Sequence, residues 1–377
     1  MLRLPPFRYH RPDTVDEAVL LLARFGEDAL PIAGGTDLMP NMKHRLFTPA
    51  HVVSLNGIAA MRGIGTVAGT ATGSASDNGS APRGNGFLLR IGALETLADV
   101  SGDPLVRRHC AGLAEAAGLV AGPQLRNMGT IGGNVCLDTR CTYYNQTEFW
   151  REALGYCLKK DGTVCHVTKV GRKCVAAHSA DTPPNLIALD ASLTLAGPDG
   201  TREISAAEFF VTDGIRNTRR KRDEILTEIR IPIVEGRRSA YRKLRQRHSI
   251  DFPLLSVAVV ADFAEDETLT GLTGAVSALG ARPRVLAGWR DMATGERMSR
   301  ELIEALAGRA WSQCRPLDNI IVDPEWRRAM VPVYVRRALE EVAGGGGPGS
   351  PWTESPRHSS GDASGPDAGP SHGKPSR

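Results

Sequence analysis

Residues 14–26 open on Thr14, carry Glu17 three positions later, place apolar side chains at helical intervals and stop at Gly26. That pattern predicts a short capped amphipathic helix. The apolar run at 30–33 breaks at Gly34-Gly35, so a strand ending in a glycine loop is expected there, with another strand at 51–55. A strand at 87–94 and a helix at 104–120 follow, before a stretch of glycine and polar residues at 122–134. Alternation over 185–196, the turn Gly197-Pro198-Asp199-Gly200 and the return through Arg202, Glu203 and Ile204 predict a hairpin. Strands at 224–232, 254–263 and 268–279 and helices at 299–306 and 324–342 complete the expected elements.

Two stretches break this patterning. Residues 66–86 hold no large apolar side chain beyond Val67 and are expected to be a flexible surface insertion, because they cannot repay the entropy of ordering. Residues 344–377 are dominated by Gly, Ser, Pro and charge and are expected to be a disordered tail. The chain has 377 residues and 41% hydrophobic content, enough for two or three packed domains. Its 46 basic and 42 acidic residues are spread along it, so no basic stripe argues for nucleic acid. Residues 1–12 lack an apolar core of signal-peptide length, and no run of roughly 18 apolar residues occurs. A cytoplasmic protein without a membrane partner is expected. In that setting the seven cysteines are not a disulfide framework, and the crowding of Cys136, Cys141, Cys157, Cys165 and Cys174 asks for a metal.

The segment Pro31, Ile32, Ala33, Gly34, Gly35, Thr36, Asp37 and Leu38 places adjacent glycines after a strand, where successive backbone N–H groups can point at one anion. Thr130, Ile131, Gly132, Gly133 and Asn134 repeat the device about a hundred residues later. One such loop is more often an ordinary tight turn. A pair suits a pyrophosphate, and neither matches the Rossmann or P-loop pattern.

With Ser179-Ala180-Asp181 ahead of Pro184, and Glu224-Ile225-Leu226 running to Ile231-Pro232, these loops resemble the FAD subunit of the xanthine dehydrogenase family of molybdenum hydroxylases. The resemblance covers about residues 4–290. It implies an α+β fold: a two-part N-terminal FAD-binding domain of the molybdenum-hydroxylase flavin-subunit (PCMH-like) type and a C-terminal antiparallel sheet-and-helix domain. The corresponding boundaries are 1–235, with 138–178 as an inserted iron–sulfur loop, and 236–343, a domain like that of CO dehydrogenase flavoproteins. It further implies FAD against both glycine loops, with Val120, Asp181, Leu226 and Lys243 also at the cofactor. Read by themselves, Asp181 could cap a turn, Leu226 is core, and Lys243 lies in a basic run that suits a solvated face.

Cys141, Cys157, Cys165 and Cys174 form the pattern C-x15-C-x7-C-x8-C, which matches neither the close cysteine pairs of zinc sites nor small-ferredoxin spacing. Spacing alone leaves a metal site of unknown type beside buried free thiols. The run Arg140-Cys141-Thr142-Tyr143-Tyr144-Asn145-Gln146 and this spacing resemble the inserted loop in flavin subunits of 4-hydroxybenzoyl-CoA reductases. That resemblance implies a [4Fe-4S] cluster on the four cysteines, with Cys136 a packed thiol and His166 not a ligand.

No constellation of general acid, base or nucleophile stands out, so no catalytic residue is assigned. The resemblance implies an electron-transfer subunit of an oxidoreductase of anaerobic aromatic degradation. Its partners would be a molybdopterin-containing large subunit and a small subunit with two [2Fe-2S] clusters, assembled as a dimer of heterotrimers, with ferredoxin as electron donor. Two alternatives stay open: the FAD subunit of a related molybdenum dehydrogenase with another substrate, and a zinc-stabilised interaction module.

Overall fold

In the computed structural model, which describes residues 3–69 and 86–344, the chain begins with β1 (Arg8–His10), α1 (Val15–Phe25), β2 (Ala29–Ile32), α2 (Leu38–Lys43) and β3 (His51–Ser54). The three strands form a parallel sheet in the order β1-β3-β2. Parallel neighbours need crossover connections, and α1 and α2 lie in them. The Thr14 hydroxyl caps α1 by accepting the Glu17 N–H, while the Glu17 carboxylate accepts the N–H of Asp13 at 3.0 Å. Ala18, Val19 and Leu22 form the buried face of α1.

The next part contains β4 (Ile64–Ala68), β5 (Phe87–Gly92), α3 (Leu97–Gly102), α4 (Pro104–His109), α5 (Ala111–Gly118), α6 (Pro123–Arg126), α7 (Ile131–Val135), α8 (Glu148–Leu154), α9 (Pro183–Ala188), β6 (Ser192–Gly197), β7 (Gly200–Ser205), α10 (Ala206–Phe209) and β8 (Ile225–Pro232). Its five strands make an antiparallel sheet ordered β4-β5-β8-β6-β7. Three expectations change here. Residues 66–68 are strand, not flexible insertion, because they pair with 87–89, and backbone pairing does not require large side chains; residues 70–85 lie outside the described residues. The expected helix at 104–120 is two helices broken at Cys110, with the Asp103 carboxylate capping the first. Residues 185–188 are helical in α9, not strand. Proline is suited to a first helical turn, and a short buried apolar run does not distinguish helix from strand.

The last part contains β9 (Arg237–Leu244), β10 (Leu255–Phe263), β11 (Leu269–Ser277), β12 (Arg284–Val285), α11 (Trp289–Ala293), α12 (Arg300–Gln313) and α13 (Pro324–Ala343). Its sheet is antiparallel in the order β12-β11-β10-β9. Every residue of β10 is buried because both faces of the strand are covered. Ala258 and Val260 join a core that includes Leu113 of α5 and Leu186 of α9, whereas Val257, Val259 and Ala261 join a second core with Leu306 of α12 and Val335 of α13. The expected helix at 299–306 continues to Gln313. Residues 345–377 of the expected tail lie outside the described residues. No helix among the described residues is long and apolar enough to cross a membrane.

Candidate cofactor sites

The first glycine segment leaves β2, turns through Gly34 and Gly35 and enters α2. Gly35 has a φ of 70°, which strains any side-chain-bearing residue. A Cβ on Gly34 would collide with the backbone carbonyl of Met128, so the first glycine segment meets, backbone to backbone, the chain just ahead of the second. The N–H groups of Ala33, Gly34, Gly35, Thr36 and Asp37 find no acceptor among the described residues. A row of orphan donors is the arrangement that takes an anion.

The second segment is a different device. α7 starts at Thr130, whose hydroxyl accepts the Gly133 N–H at 3.1 Å and whose carbonyl accepts the Asn134 N–H at 2.9 Å. The N–H groups of Ile131 and Gly132 donate to the Glu95 and Ala93 carbonyls, both at 2.9 Å. Four of its five backbone donors are therefore already used, and its glycines serve close packing: a Cβ on Gly132 would stand 2.7 Å from the Ala93 oxygen. Asn134 faces the Asp181 segment, its Oδ1 accepting the Thr182 N–H at 3.1 Å and the Thr182 hydroxyl at 2.7 Å.

Asp181 and Lys243 form a buried ion pair at 3.0 Å. The Tyr241 hydroxyl donates to Asp181 Oδ1 at 2.6 Å, and Lys243 Nζ donates to the Leu119 carbonyl at 3.0 Å, next to Val120. Burial pushes the Asp181 carboxyl up, against the pull of Lys243 and Tyr241, and it pushes the Lys243 ammonium down. The basic run is thus not a solvated face at Lys243. In β9 the side chains at 239, 241 and 243 share one face, and Ser239 and Lys243 on that face both accept or donate to residues of the α5 region. Leu226 is core, as its type predicts; the carbonyl of its neighbour Thr227 takes the N–H of Ala93, against which Gly132 packs.

The segment 138–178 is tied at its base by Arg140 and Ala177, which exchange two backbone hydrogen bonds of 2.7 Å. Within it Cys141, Cys157, Cys165 and Cys174 line one small cavity together with Tyr143, Tyr144, Leu158, Lys159, His166, Val167 and Ala176. Cys157 begins a tight turn, its carbonyl accepting the N–H groups of Lys160 and Gly162 at 2.9 and 3.1 Å. Burial pushes the Cys141 thiol up to about 11 and also raises Cys174. Burial acts on Cys165 too, but N–H donation from Val167, Thr168 and Val175, with the Thr168 hydroxyl, brings it below the ordinary thiol value. Lys159 is a buried cation on the cavity wall, held by Asp138 at 2.6 Å and the Gly214 carbonyl at 2.7 Å. The His166 ring bonds the Tyr156 carbonyl at 2.6 Å, and Cys136 packs at the edge of the main core.

Residues 5–234 match the family described as FAD binding domain in molybdopterin dehydrogenase, and residues 239–342 match the CO dehydrogenase flavoprotein C-terminal domain. The chain belongs to the FAD-binding subunits of the molybdenum hydroxylases. This flavin subunit is 30% identical to the carbon monoxide dehydrogenase medium chain of Hydrogenophaga pseudoflava, over 89% of its own length and 96% of that chain. It is 24% identical to the glyceraldehyde dehydrogenase medium chain of Sulfolobus acidocaldarius, over 90% and 99%. The structure of the H. pseudoflava carbon monoxide dehydrogenase lacking the Mo-pyranopterin moiety superposes with a TM-score of 0.69 at 29% identity, covering 90% of this chain and 97% of that one. The flavin subunit is accordingly part of an oxidoreductase, and its α+β architecture is that of the family.

Sequence reasoning passed over several residues that organise these sites. Tyr241 was within reach, since it lies two positions before Lys243 on a strand. Gly214, Arg151 and Lys159 carry no local signal, because each acts on a segment distant in sequence.

Proposed function

We propose that this flavin subunit holds a [4Fe-4S] cluster on Cys141, Cys157, Cys165 and Cys174 beside its FAD, as the electron-transfer subunit of a molybdenum-dependent 4-hydroxybenzoyl-CoA reductase. The observation that carries the cluster is the convergence of four cysteines, spread over 34 residues, on a single cavity. The spacing of the same four cysteines, with the run Arg140–Gln146 leading into it, adds the support of the resemblance.

For FAD, the five orphan N–H groups at 33–37 fit the pyrophosphate, with Pro31, Ile32 and Leu38 framing them and Thr130–Asn134 closing the opposite side. Val120, Asp181, Leu226 and Lys243 complete the site. Residues 1–235 form the FAD-binding domain in this assignment, and 236–343 the C-terminal domain. When bound, FAD exchanges one or two electrons and a four-thiolate cluster exchanges one. The chain's own residues would hold the two groups, and Lys159 sets a positive charge beside the four cysteines. Substrate chemistry belongs to a molybdopterin-containing large subunit, reached through a small subunit with two [2Fe-2S] clusters, in a doubled heterotrimer. A strong donor such as reduced ferredoxin would deliver electrons at the cysteine segment, in the cytoplasm.

A second assignment, the FAD subunit of a molybdenum dehydrogenase with another substrate, draws support from relatives named for carbon monoxide and glyceraldehyde oxidation. Both share the same role for this chain. The test is iron and acid-labile sulfide per FAD in anaerobically purified protein, with EPR after dithionite reduction. About four of each, with a signal lost in Cys157→Ser, is expected for a cubane. FAD without iron in protein never exposed to oxygen would sink the cluster, and neighbouring genes for a different hydroxylase would sink the substrate.

A further inference from the structure

The cysteine segment and the row of orphan N–H groups share α2. At the start of α2, Asp37 pairs with Arg140, the residue before Cys141, whose guanidinium also lies 4.6 Å from the centre of the Phe252 ring. At the far end Arg151 of α8, 1% exposed, donates from Nη2 to the His44 carbonyl at 3.0 Å and the Arg45 carbonyl at 3.2 Å. Immediately beyond, Leu46 packs with Tyr144 and Cys157 in a small apolar cluster of its own, edged by Phe47 and Cys141. A helix of six residues is therefore gripped at both ends by the segment that carries the four cysteines.

The grip at Arg151 is conditional on the segment being closed. Nε and Nη1 of this buried guanidinium have no hydrogen-bond acceptor, and its nearest carboxylate, Asp161, stands 3.9 Å away. Leaving donors of a buried cation unsatisfied is unfavourable. Any loosening of residues 141–174 would let water reach them, release the His44 and Arg45 carbonyls and free α2. Whatever ties the four cysteines together opposes that loosening.

We propose that α2 couples the two cofactor sites, so that loading the cysteine cavity with iron and sulfide and binding FAD at 33–37 strengthen one another. Arg140 and Arg151 are the positioning residues. This rests on the proposed placement of both cofactors. Coupling between two binding equilibria is reciprocal, so one factor governs both directions.

The test uses the full chain, made and handled anaerobically, with FAD affinity read by quenching of flavin fluorescence before and after iron is removed with a chelator. The iron-loaded chain is expected to bind FAD about tenfold more tightly, within the range of ordinary allosteric coupling. In Arg151→Gln and Arg140→Gln both cofactors still bind, but the difference shrinks to about twofold or less, and Arg151→Lys, which keeps a cationic donor, restores part of it. Equal FAD affinity in loaded and iron-free wild-type protein overturns the coupling. A difference that persists unchanged in both glutamine variants overturns the role of α2. A chain that takes up FAD and never iron refutes the cluster itself, and the coupling with it; that outcome is distinguishable because iron is assayed independently.

Discussion

Asp181 and Lys243 are 62 positions apart and meet with side chains at most 4% exposed. Each is unfavourable alone in that environment, and each is tolerated because the other, with Tyr241, supplies hydrogen bonds to the charged form. Removing one partner leaves an uncompensated buried charge, typically roughly 3–5 kcal/mol of destabilisation. Lys243→Met is therefore expected to lower the urea midpoint sharply, and Asp181→Asn in the same chain is expected to recover much of the loss. A single variant as stable as the wild type would mean that water reaches the pair.

Among elements, the loop around Gly214 does the least conspicuous work. Phe210 and Thr218 pair across its neck, and its tip meets the cysteine segment, with the Gly214 N–H donating to the Cys174 carbonyl at 3.1 Å. The Gly214 carbonyl in turn accepts the Thr139 hydroxyl at 2.6 Å. A Cβ on Gly214 would stand 2.6 Å from Cys174 Sγ and 2.7 Å from the Ala176 nitrogen, so something must shift. Under the proposed cluster assignment, Gly214→Ala is expected to lower the iron content of anaerobically purified protein while its FAD content stays at the wild-type level. Gly65→Ala on β4, where a Cβ meets nothing within 4 Å, serves as the control and should keep its iron. Iron at the wild-type level in Gly214→Ala would show that Cys174 can retreat without consequence.

On the scale of the molecule, the cysteine segment rejoins the rest of the fold at His178. Its N–H donates to the Gly280 carbonyl at 2.8 Å, its Nδ1 bonds the Ser277 hydroxyl at 2.8 Å, and its Nε2 is buried without a partner. Burial brings its pKa from 6.5 down to about 3. The unfolded chain takes up this proton below 6.5 and the folded chain does not until about 3, so the stability involved is fully present above pH 6.5 and is lost as pH falls towards 3. Each unit corresponds to about 1.4 kcal/mol. Urea midpoints measured from pH 7 to 5 should fall more steeply for the wild type than for His178→Gln; parallel profiles would show that His178 is protonated in place. What the sequence determined by itself was whatever depends on near neighbours: the Thr14 cap and the helical apolar spacing of α1, the Gly34-Gly35 turn, the hairpin through Gly197 and Gly200, and the presence of four cysteines in one segment. Thr66–Ala68 paired as strand because β5 was available to them as a partner, which local pattern does not encode. Only the tertiary structure decided that the two glycine segments work differently, since that depends on whether each N–H already has an acceptor elsewhere in the chain. It alone buried Lys243 against Asp181, closed four cysteines around one cavity and fastened them to α2, because burial and contact between distant segments belong to the packed chain and not to its order.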